Sequence, residues 1–465
     1  MEAGILAPLM FSGLVIFLLL GYPVAFALAA NGLLFAGIGI MAGLFDVSLL
    51  HALPERIYGI VANPTLLAIP FFAFMGLILE RSGMAEDLLD TIGQLFGSLR
   101  GGLAYAVILV GGLLAATTGV VAASVIAMGL ISLPVMLRYG YDKRLASGVI
   151  AASGTLAQIV PPSLVLIVLA DQLGASVSAM YKGALIPGLA LVGLYLAYVF
   201  FVTLTRPHAA PALPASARTL RGSALLLRVF TTLLPPLVLI FLVLGTIFLG
   251  VATPTEGGAM GAAGALLLAL ARGRLSRLQL TQAMDSTTKL TTFVVFILIG
   301  STIFTLVFRG LDGDVWVEHL FGQLPGGVLG FLIAVNLLVF LLAFFLDFFE
   351  IAFIVVPLVG PIATKLGIDP IWFGVMLAVN MQTAFMHPPF GFALFYLKSV
   401  APKPIRTADI YWGAIPFLAI QLVMVAVVLA FPQVVLRDAP ADASSVTEIP
   451  VDVDPDAYYL PAEWR

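Results

Sequence analysis

Residues 378–398 read AVNMQTAFMHPPFGFALFYLK. The stretch is apolar at both ends and polar in the middle, where Gln382, Thr383 and His387 precede the pair Pro388-Pro389. Neither proline can donate a backbone hydrogen bond, so the run reads as two half-helices meeting at a polar loop. In hydrocarbon, unpaired backbone survives only where protein or a water-lined cavity covers it, which makes such a break a candidate binding site. The chain carries the pattern twice. Residues 147–172, SGVIAASGTLAQIVPPSLVLIVLADQ, have the same layout, with Pro161-Pro162 in the place of Pro388-Pro389. The offset between copies is 227 residues (388 minus 161), and it also relates Pro134 to Pro361, Gly140 to Gly367, Asp142 to Asp369, Ala151 to Ala378 and Ala157 to Ala384. With small shifts, Gly101-Gly102 matches Gly326-Gly327 and Pro23 matches Pro254. A duplication with a paired interruption points to a transporter site between two repeats.

Composition agrees. Of 465 residues, 61% are hydrophobic and 10% charged, and the mean hydropathy is +1.11, the profile of a polytopic helical membrane protein embedded in a lipid bilayer. The net charge of −3 says little, because in a membrane the placement of charge matters more than its sum. With no cysteine there is no disulfide, thiol nucleophile or cysteine-ligated metal. The first apolar run follows acidic Glu2 and lacks a basic leader, so it reads as a retained helix. No Gly-x-x-x-x-Gly-Lys-Ser/Thr or His-Glu-x-x-His motif occurs, and no nucleic-acid partner is expected. A serine hydrolase assembled across helices stays open on sequence grounds. So does a passive channel, although neither requires paired breaks.

Along the chain, the first repeat occupies 1–205. It holds spans at 6–20 and 24–41, a polar interfacial stretch at 46–58, an apolar run at about 63–80 and an amphipathic surface segment at 84–98. Residues 103–137 are too long for one ordinary span and are interrupted at Ala115–Gly119, which predicts a discontinuous helix. The Pro-Pro segment, about 144–172, has two arms of about a dozen residues. At about 1.5 Å per residue each reaches only the middle of an apolar core about 30 Å thick. A re-entrant hairpin is expected there, with a kinked single helix as the alternative. A last span ends at 205, a Pro/Ala-rich linker covers 206–228, and the second repeat covers 229–436 with its Pro-Pro hairpin at about 371–399. The tail, 437–465, is acidic and reads as disordered.

Five crossings per repeat is an odd number, so the second copy must be inverted relative to the first. With the linker in the cytoplasm, fourteen of the 22 basic residues fall inside, including Lys365. Eight, among them Arg138, Lys143 and Arg144, fall outside, and both termini are periplasmic. The expected fold is therefore an all-α polytopic protein of two inverted-topology repeats, with discontinuous helices and re-entrant Pro-Pro hairpins.

Polar residues concentrate at these interruptions. The first hairpin offers Ser153, Thr155, Gln158 and Ser163, and the helix break beside it offers Thr117, Thr118 and Ser124. Hydroxyls and freed carbonyls at half-helix ends suit a sodium ion, while half-helix N-termini attract a carboxylate. The alternative is that the hydroxyls bond back to their own helix carbonyls. The second copy offers Asn380, Gln382, Thr383 and His387, with Asp347 and Glu350 in LAFFLDFFEIAF. Those carboxylates can ligate a cation, carry a proton or bond a neighbouring helix end. His387 can bond an anion, titrate or cap a half-helix. The spacing Thr253-Pro-Thr-Glu256 predicts a capping box, and Arg309 a side chain reaching for the membrane surface. The candidate substrate contacts are Gln158, Ser163, Asn380, His387 and Phe390.

AIPFFAFMG at 68–76, the glycine pair and small-residue break at 101–124, IVPPS at 159–163, TPTE at 253–256, and DPIWFG with PPFG at 369–391 together resemble the large membrane subunit of tripartite ATP-independent periplasmic (TRAP) transporters. The resemblance covers nearly the whole chain, from about residue 5 to 435. It implies sodium-coupled uptake of a small organic acid anion, delivered by a periplasmic substrate-binding protein. It also implies a small four-helix membrane subunit as partner, a bacterial inner-membrane location, and an elevator-type movement of a transport domain against a scaffold. Its sodium sites fall here on Thr117, Thr118, Ser153, Gly154 and Thr155, and on Phe345, Asp347, Gln382 and Thr383. His387-Pro388-Pro389 departs from the Thr-Pro-Pro of many members. LDFFEIAFIVVPL with PPFGFALFYLKSVAP resembles a subgroup linked to 2-oxo acids and lactate, which favours a monocarboxylate over a C4-dicarboxylate. A proton-coupled organic-anion transporter working without a binding protein is the alternative.

Overall fold

The computed structural model describes residues 3–118, 121–344, 346–389 and 391–437, and these form helices joined by turns and loops. The first half contains α1 (Ala3–Leu19), α2 (Val24–Met41), α3 (Leu53–Val61), α4 (Ala68–Arg81), α5 (Met84–Phe96), α6 (Gly102–Thr118), α7 (Val121–Arg138), α8 (Lys143–Thr155), α9 (Leu164–Gln172) and α10 (Val177–Thr205). The second contains α11 (Gly222–Phe248), α12 (Pro254–Ala271), α13 (Arg277–Gly310), α14 (Gly313–Gly322), α15 (Gly327–Leu342), α16 (Phe348–Ile354), α17 (Val356–Lys365), α18 (Pro370–Thr383), α19 (Phe392–Val400), α20 (Thr407–Ala430) and α21 (Gln433–Leu436). Among the described residues six helices are long and apolar enough to cross a bilayer, or up to nine spans if each sharply bent pair is one.

Local sequence explains many of the boundaries. Asp142 and its counterpart Asp369 cap α8 and α18 in the same way, each carboxylate accepting two backbone N–H groups of the first turn. Thr253 and Glu256 form the expected capping box at the start of α12. Gly101 and Gly326 sit at φ +80° and +96°, a left-handed turn that costs glycine little, and each precedes the helix that leads into a break. The amphipathic α5 buries Leu88, Leu89 and Ile92 and exposes Glu86 and Asp90, as expected.

Contacts at the helix ends fix the topology. The Gly101 amide donates to the Ala210 carbonyl (2.9 Å) and the Asp142 amide to the Ala209 carbonyl (2.8 Å). The start of α6 and the end of α7 therefore both lie against the linker, and α6–α7 is a hairpin that enters and leaves at that end. α8 also starts there, but α9 finishes at the other end. There Asn63 Nδ2 donates to Asp171 Oδ1 (2.6 Å) and Ser178 Oγ donates to the Ile247 carbonyl near the end of α11 (3.2 Å). The second half mirrors this. Lys365 at the end of α17 pairs with Glu318 on α14 (2.5 Å), so α15 to α17 form a hairpin of the end away from the linker. The α18–α19 segment returns to the linker's end, where Lys398 Nζ donates to the Ile405 carbonyl (3.2 Å) just before α20.

The discontinuous helices and re-entrant hairpins expected from the sequence are thus both present, with their places exchanged. The Pro-Pro segments cross as broken spans, and the long stretches before them, 102–138 and 327–365, are the hairpins. Each Pro-Pro arm does reach only halfway, but its partner continues in the same direction instead of turning back. Each half still passes between the two ends five times: α1, α2, α4, α8–α9 and α10, then α11, α12, α13, α18–α19 and α20. The inverted relation therefore holds. Arg138, Lys143 and Arg144 move to the linker's end and Lys365 to the opposite end. The fourteen basic residues assigned to the linker's end become 16, against five at the other, with Arg465 outside the described residues. The acidic tail beyond 437 also lies outside them.

The broken spans form the centre of the bundle. Leu145–Thr155, Leu164–Ala170 and Phe373–Thr383 are buried residue by residue, as helices apolar all round should be. α1 and α11 instead expose Ile16, Leu19, Leu227 and Phe241 on their outer faces.

Candidate functional site at the paired helix breaks

The two breaks meet. Thr155, the last residue of α8, donates its hydroxyl to the Ala152 carbonyl (2.8 Å) and accepts from Gln382 Nε2 on α18 (3.2 Å) and from Gln421 Nε2 on α20 (3.2 Å). Gln421 Nε2 also donates to the Tyr195 hydroxyl on α10 (2.9 Å). All four side chains are fully buried. Thr155 and Gln382 are 227 residues apart, which is the repeat offset itself. A residue touching its own repeat counterpart places the approximate two-fold axis of the fold near this pair.

The sequence-predicted residues divide into three groups. Ser153 Oγ donates to the Val149 carbonyl, Ser163 Oγ to the Gln158 carbonyl and Thr383 Oγ1 to the Asn380 carbonyl, each at 2.6 Å. These hydroxyl protons are spent on nearby backbone, so only oxygen lone pairs face outward. Gly154 packs against Val125 of α7, and Asn380 Nδ2 reaches the Asn336 carbonyl (2.8 Å) and Asn336 Oδ1 (3.0 Å) on α15. Asp347 and Glu350 reciprocally cap α16, each carboxylate accepting the other's amide at 2.8 Å. Neither is in an ion pair among the described residues.

The third group is buried without partners. Both side-chain polar atoms of Gln158, both ring nitrogens of His387, and the Oε1 atoms of Gln382 and Gln421 have no hydrogen-bond partner among the described residues. The His387 ring lies 2% exposed, stacked on Phe344 (centroids 4.1 Å apart) and edge-on to Phe340 (5.0 Å). Orphaned buried polar atoms cost about 1–3 kcal/mol each unless a ligand or water meets them. Both Pro-Pro peptides in these breaks are cis. Phe345 and Phe390 lie outside the described residues, as do the side chains of Thr117 and Thr118 at the tip of the first hairpin. Tyr195, Asn336 and Gln421 were not anticipated. Each is a polar group in an apolar helix, with no motif around it to single it out.

Two inverted halves that meet through their own counterparts at a buried polar centre define a membrane transporter. The chain belongs to the family described as "Tripartite ATP-independent periplasmic transporter, DctM component", whose model matches residues 11–434. It is 32% identical over 395 residues to the C4-dicarboxylate TRAP transporter large permease protein of Pseudomonas aeruginosa, covering 84% of this chain and 90% of that one. It is 28% identical to the sialic acid TRAP transporter large permease protein of Vibrio cholerae, covering 87% and 95%. In fold it is similar to the YdaH transporter of Alcanivorax borkumensis, with a TM-score of 0.59 at 16% identity over 90% of this chain and 97% of that one. The chain is thus a large permease subunit and not an enzyme.

Proposed function

We propose that the chain carries out sodium-coupled import of a small organic acid anion across the bacterial inner membrane. A 2-oxo or 2-hydroxy monocarboxylate is favoured and a C4-dicarboxylate comes next. The relatives are named for C4-dicarboxylates, sialic acid, isethionate and ectoine, so the family accommodates varied small organic solutes and the choice must come from local chemistry. The carrying observation is the set of orphaned buried oxygens on Gln382 and Gln421, whose amides meet at Thr155, and on Gln158 three residues further along the chain. Unpartnered buried carbonyl oxygens suit a hard monovalent cation, and Ser153, Gly154, Thr155, Asp347, Gln382 and Thr383 line or flank the same breaks. Thr117, Thr118 and Phe345 join them as proposed sodium contacts. The anion meets Gln158, Ser163, Asn380, His387 and Phe390, with the unpartnered His387 ring as its main hydrogen-bond donor. A monocarboxylate fits a site with one such ring and no arginine among its contacts.

In this reading the basic end of the bundle is cytoplasmic and both termini are periplasmic. A periplasmic binding protein hands over the substrate, a small four-helix subunit supports the scaffold, and the hairpins travel with the broken spans in an elevator movement. The test is uptake by the reconstituted system with external sodium replaced by potassium or choline. Uptake should be abolished. Sodium-independent uptake that collapses with the proton gradient would transfer the coupling role to Asp347, Glu350 and His387. Vigorous uptake at micromolar substrate without a binding protein would remove the handover step.

A further inference from the structure

A cavity of about 620 Å³ opens at the linker's end between α8, α10 and α20, lined among others by Asp142, Arg144, Tyr198, Phe201, Arg206 and Trp412. We propose that it binds one anionic phospholipid from the leaflet at that end, the phosphate held by Arg144 and Arg206 and an acyl chain laid along Phe201 and Trp412.

Two basic side chains of this cavity are unpaired. Among the described residues the ion pairs involve Arg228, Arg272, Arg274 and Lys365, so neither Arg144 nor Arg206 has an acidic partner. The nearby Asp142 carboxylate is engaged in capping α8, where its Oδ1 accepts from the Arg144 and Leu145 amides at 2.9 and 3.0 Å. Two free guanidinium forks in one cavity match the oxygens of a phosphate. A zwitterionic headgroup would bring a cation into the same basic environment.

Phe201 and Trp412 are 62% and 59% exposed on helices long and apolar enough to cross a bilayer, so their rings lie on the outer surface of the bundle. Tyr198, one turn deeper on α10 than Phe201, adds a third aromatic ring to the wall. A cavity charged at one end and apolar along its wall fits an amphiphile and gives a small soluble anion no use for the wall.

The site is also mechanically connected. Tyr198 of the cavity and Tyr195 of the central cluster both pack edge-on against the same ring, Phe417, at 5.0 and 5.2 Å between centroids. A lipid seated here ties the first turn of the first broken span to α10 and α20, which carry Tyr195 and Gln421.

The experiment is native mass spectrometry of the purified full chain in detergent, titrated with phosphatidylglycerol, phosphatidylcholine or glycerol 1-phosphate. Wild type should retain one phosphatidylglycerol in preference to phosphatidylcholine and should not retain glycerol 1-phosphate. The Arg144→Gln/Arg206→Gln variant should bind phosphatidylglycerol about tenfold or more weakly, given roughly 1 kcal/mol per basic residue at an anionic surface. The Phe201→Ala/Trp412→Ala variant keeps both guanidinium groups, serves if the first variant does not fold, and should also lose lipid. Equal retention of the two phospholipids by wild type, or unchanged phosphatidylglycerol retention in whichever variant folds, would overturn the proposal. Glycerol 1-phosphate bound as well as the lipid would make this a soluble-anion site and overturn it too.

Discussion

The two halves make the same junction between hairpin and broken span with different chemistry. In the first half Gly111 of α6 lies against Ser153 of α8 so closely that an added Cβ would stand 2.5 Å from the Ser153 Cβ. The shifts that relate Gly101 to Gly326 and Pro161 to Pro388 carry Gly111 to Asn336 and Ser153 to Asn380. Those two asparagines are joined by hydrogen bonds of 2.8 and 3.0 Å. By the 227-residue offset Ala123 corresponds to Glu350, and at the breaks Val160 corresponds to His387. One backbone plan therefore carries a junction closed by direct contact in one half and a polar junction in the other. Van der Waals contact at a glycine has no slack, whereas amide hydrogen bonds can exchange partners, so the second half is the better place for groups that must respond to a ligand.

The largest effect should come from filling the close contact. Gly111→Ala should cost about 1–3 kcal/mol through overpacking, and Gly111→Val enough to remove most folded protein on size-exclusion chromatography. Adding Ser153→Gly to Gly111→Ala removes the nearest atom and should restore part of the loss. The Ser153 Cα and carbonyl carbon remain at 3.2 Å, so recovery should be incomplete. A melting temperature unchanged by Gly111→Ala would mean the first junction is as loose as the second.

Next in size is Asn380→Leu. It strands Asn336 Oδ1 in a half-buried site, while the Asn336 carbonyl keeps its bond within α15, and it should cost about 1 kcal/mol. Removing both partners, Asn336→Leu with Asn380→Leu, should cost less than the sum of the two single changes, because no orphan is left. Additive losses in thermal unfolding would show that the amides do not act as a pair.

Much of this comparison was legible in the sequence. The duplication, the paired breaks, the caps at Asp142 and Asp369 and the surface helix α5 all follow from residue type and spacing. Which interrupted segment turns back was not legible. Two arms of about a dozen residues look the same whether the second continues or reverses, and α6 and α7, at 17 and 18 residues, are each long enough to pass for spans. The direction is set by tertiary contacts such as Asp142 to Ala209, between segments far apart in the chain. The hydroxyls were legible as site residues, but their donation to their own helices and the Thr155–Gln382 contact depend on rotamers and on packing across the axis.

Thr155 and Thr383 should differ for the same reason. Thr155 joins three helices through Gln382 and Gln421, while among the described residues the Thr383 hydroxyl bonds only within its own helix. Thr155→Val strands two amide donors and should cost about 1 kcal/mol or more, with Thr383→Val costing less. If sodium binds as proposed, Thr155→Ala and Thr383→Ala should both weaken apparent sodium affinity in uptake assays far more than expression. Equal stability losses would remove the distinction between a bridging and a local hydroxyl.

The smallest effect concerns the connections from α2 to α4 and from α12 to α13. The first begins with Asp46, whose carboxylate accepts the Ser48 amide at 2.9 Å and caps the 3₁₀ turn Val47–Ala52. The second begins with Ser276, in a capping box with Gln279 that contains no titratable group. Hydrogen bonds from Ser48 hold the Asp46 carboxyl below its ordinary value of 3.8. A carboxyl depressed in the folded state contributes stability that is complete above its unfolded value and is lost as pH falls through the lower folded one. Between about pH 6 and pH 3, hydrogen exchange corrected for its intrinsic pH dependence should accelerate at the Ser48 amide and stay level at the Gln279 amide. Asp46→Asn should remove that pH dependence while retaining a weaker neutral cap. If both amides accelerate together, the acid is loosening the bundle as a whole, and the two connections differ in sequence without differing in behaviour.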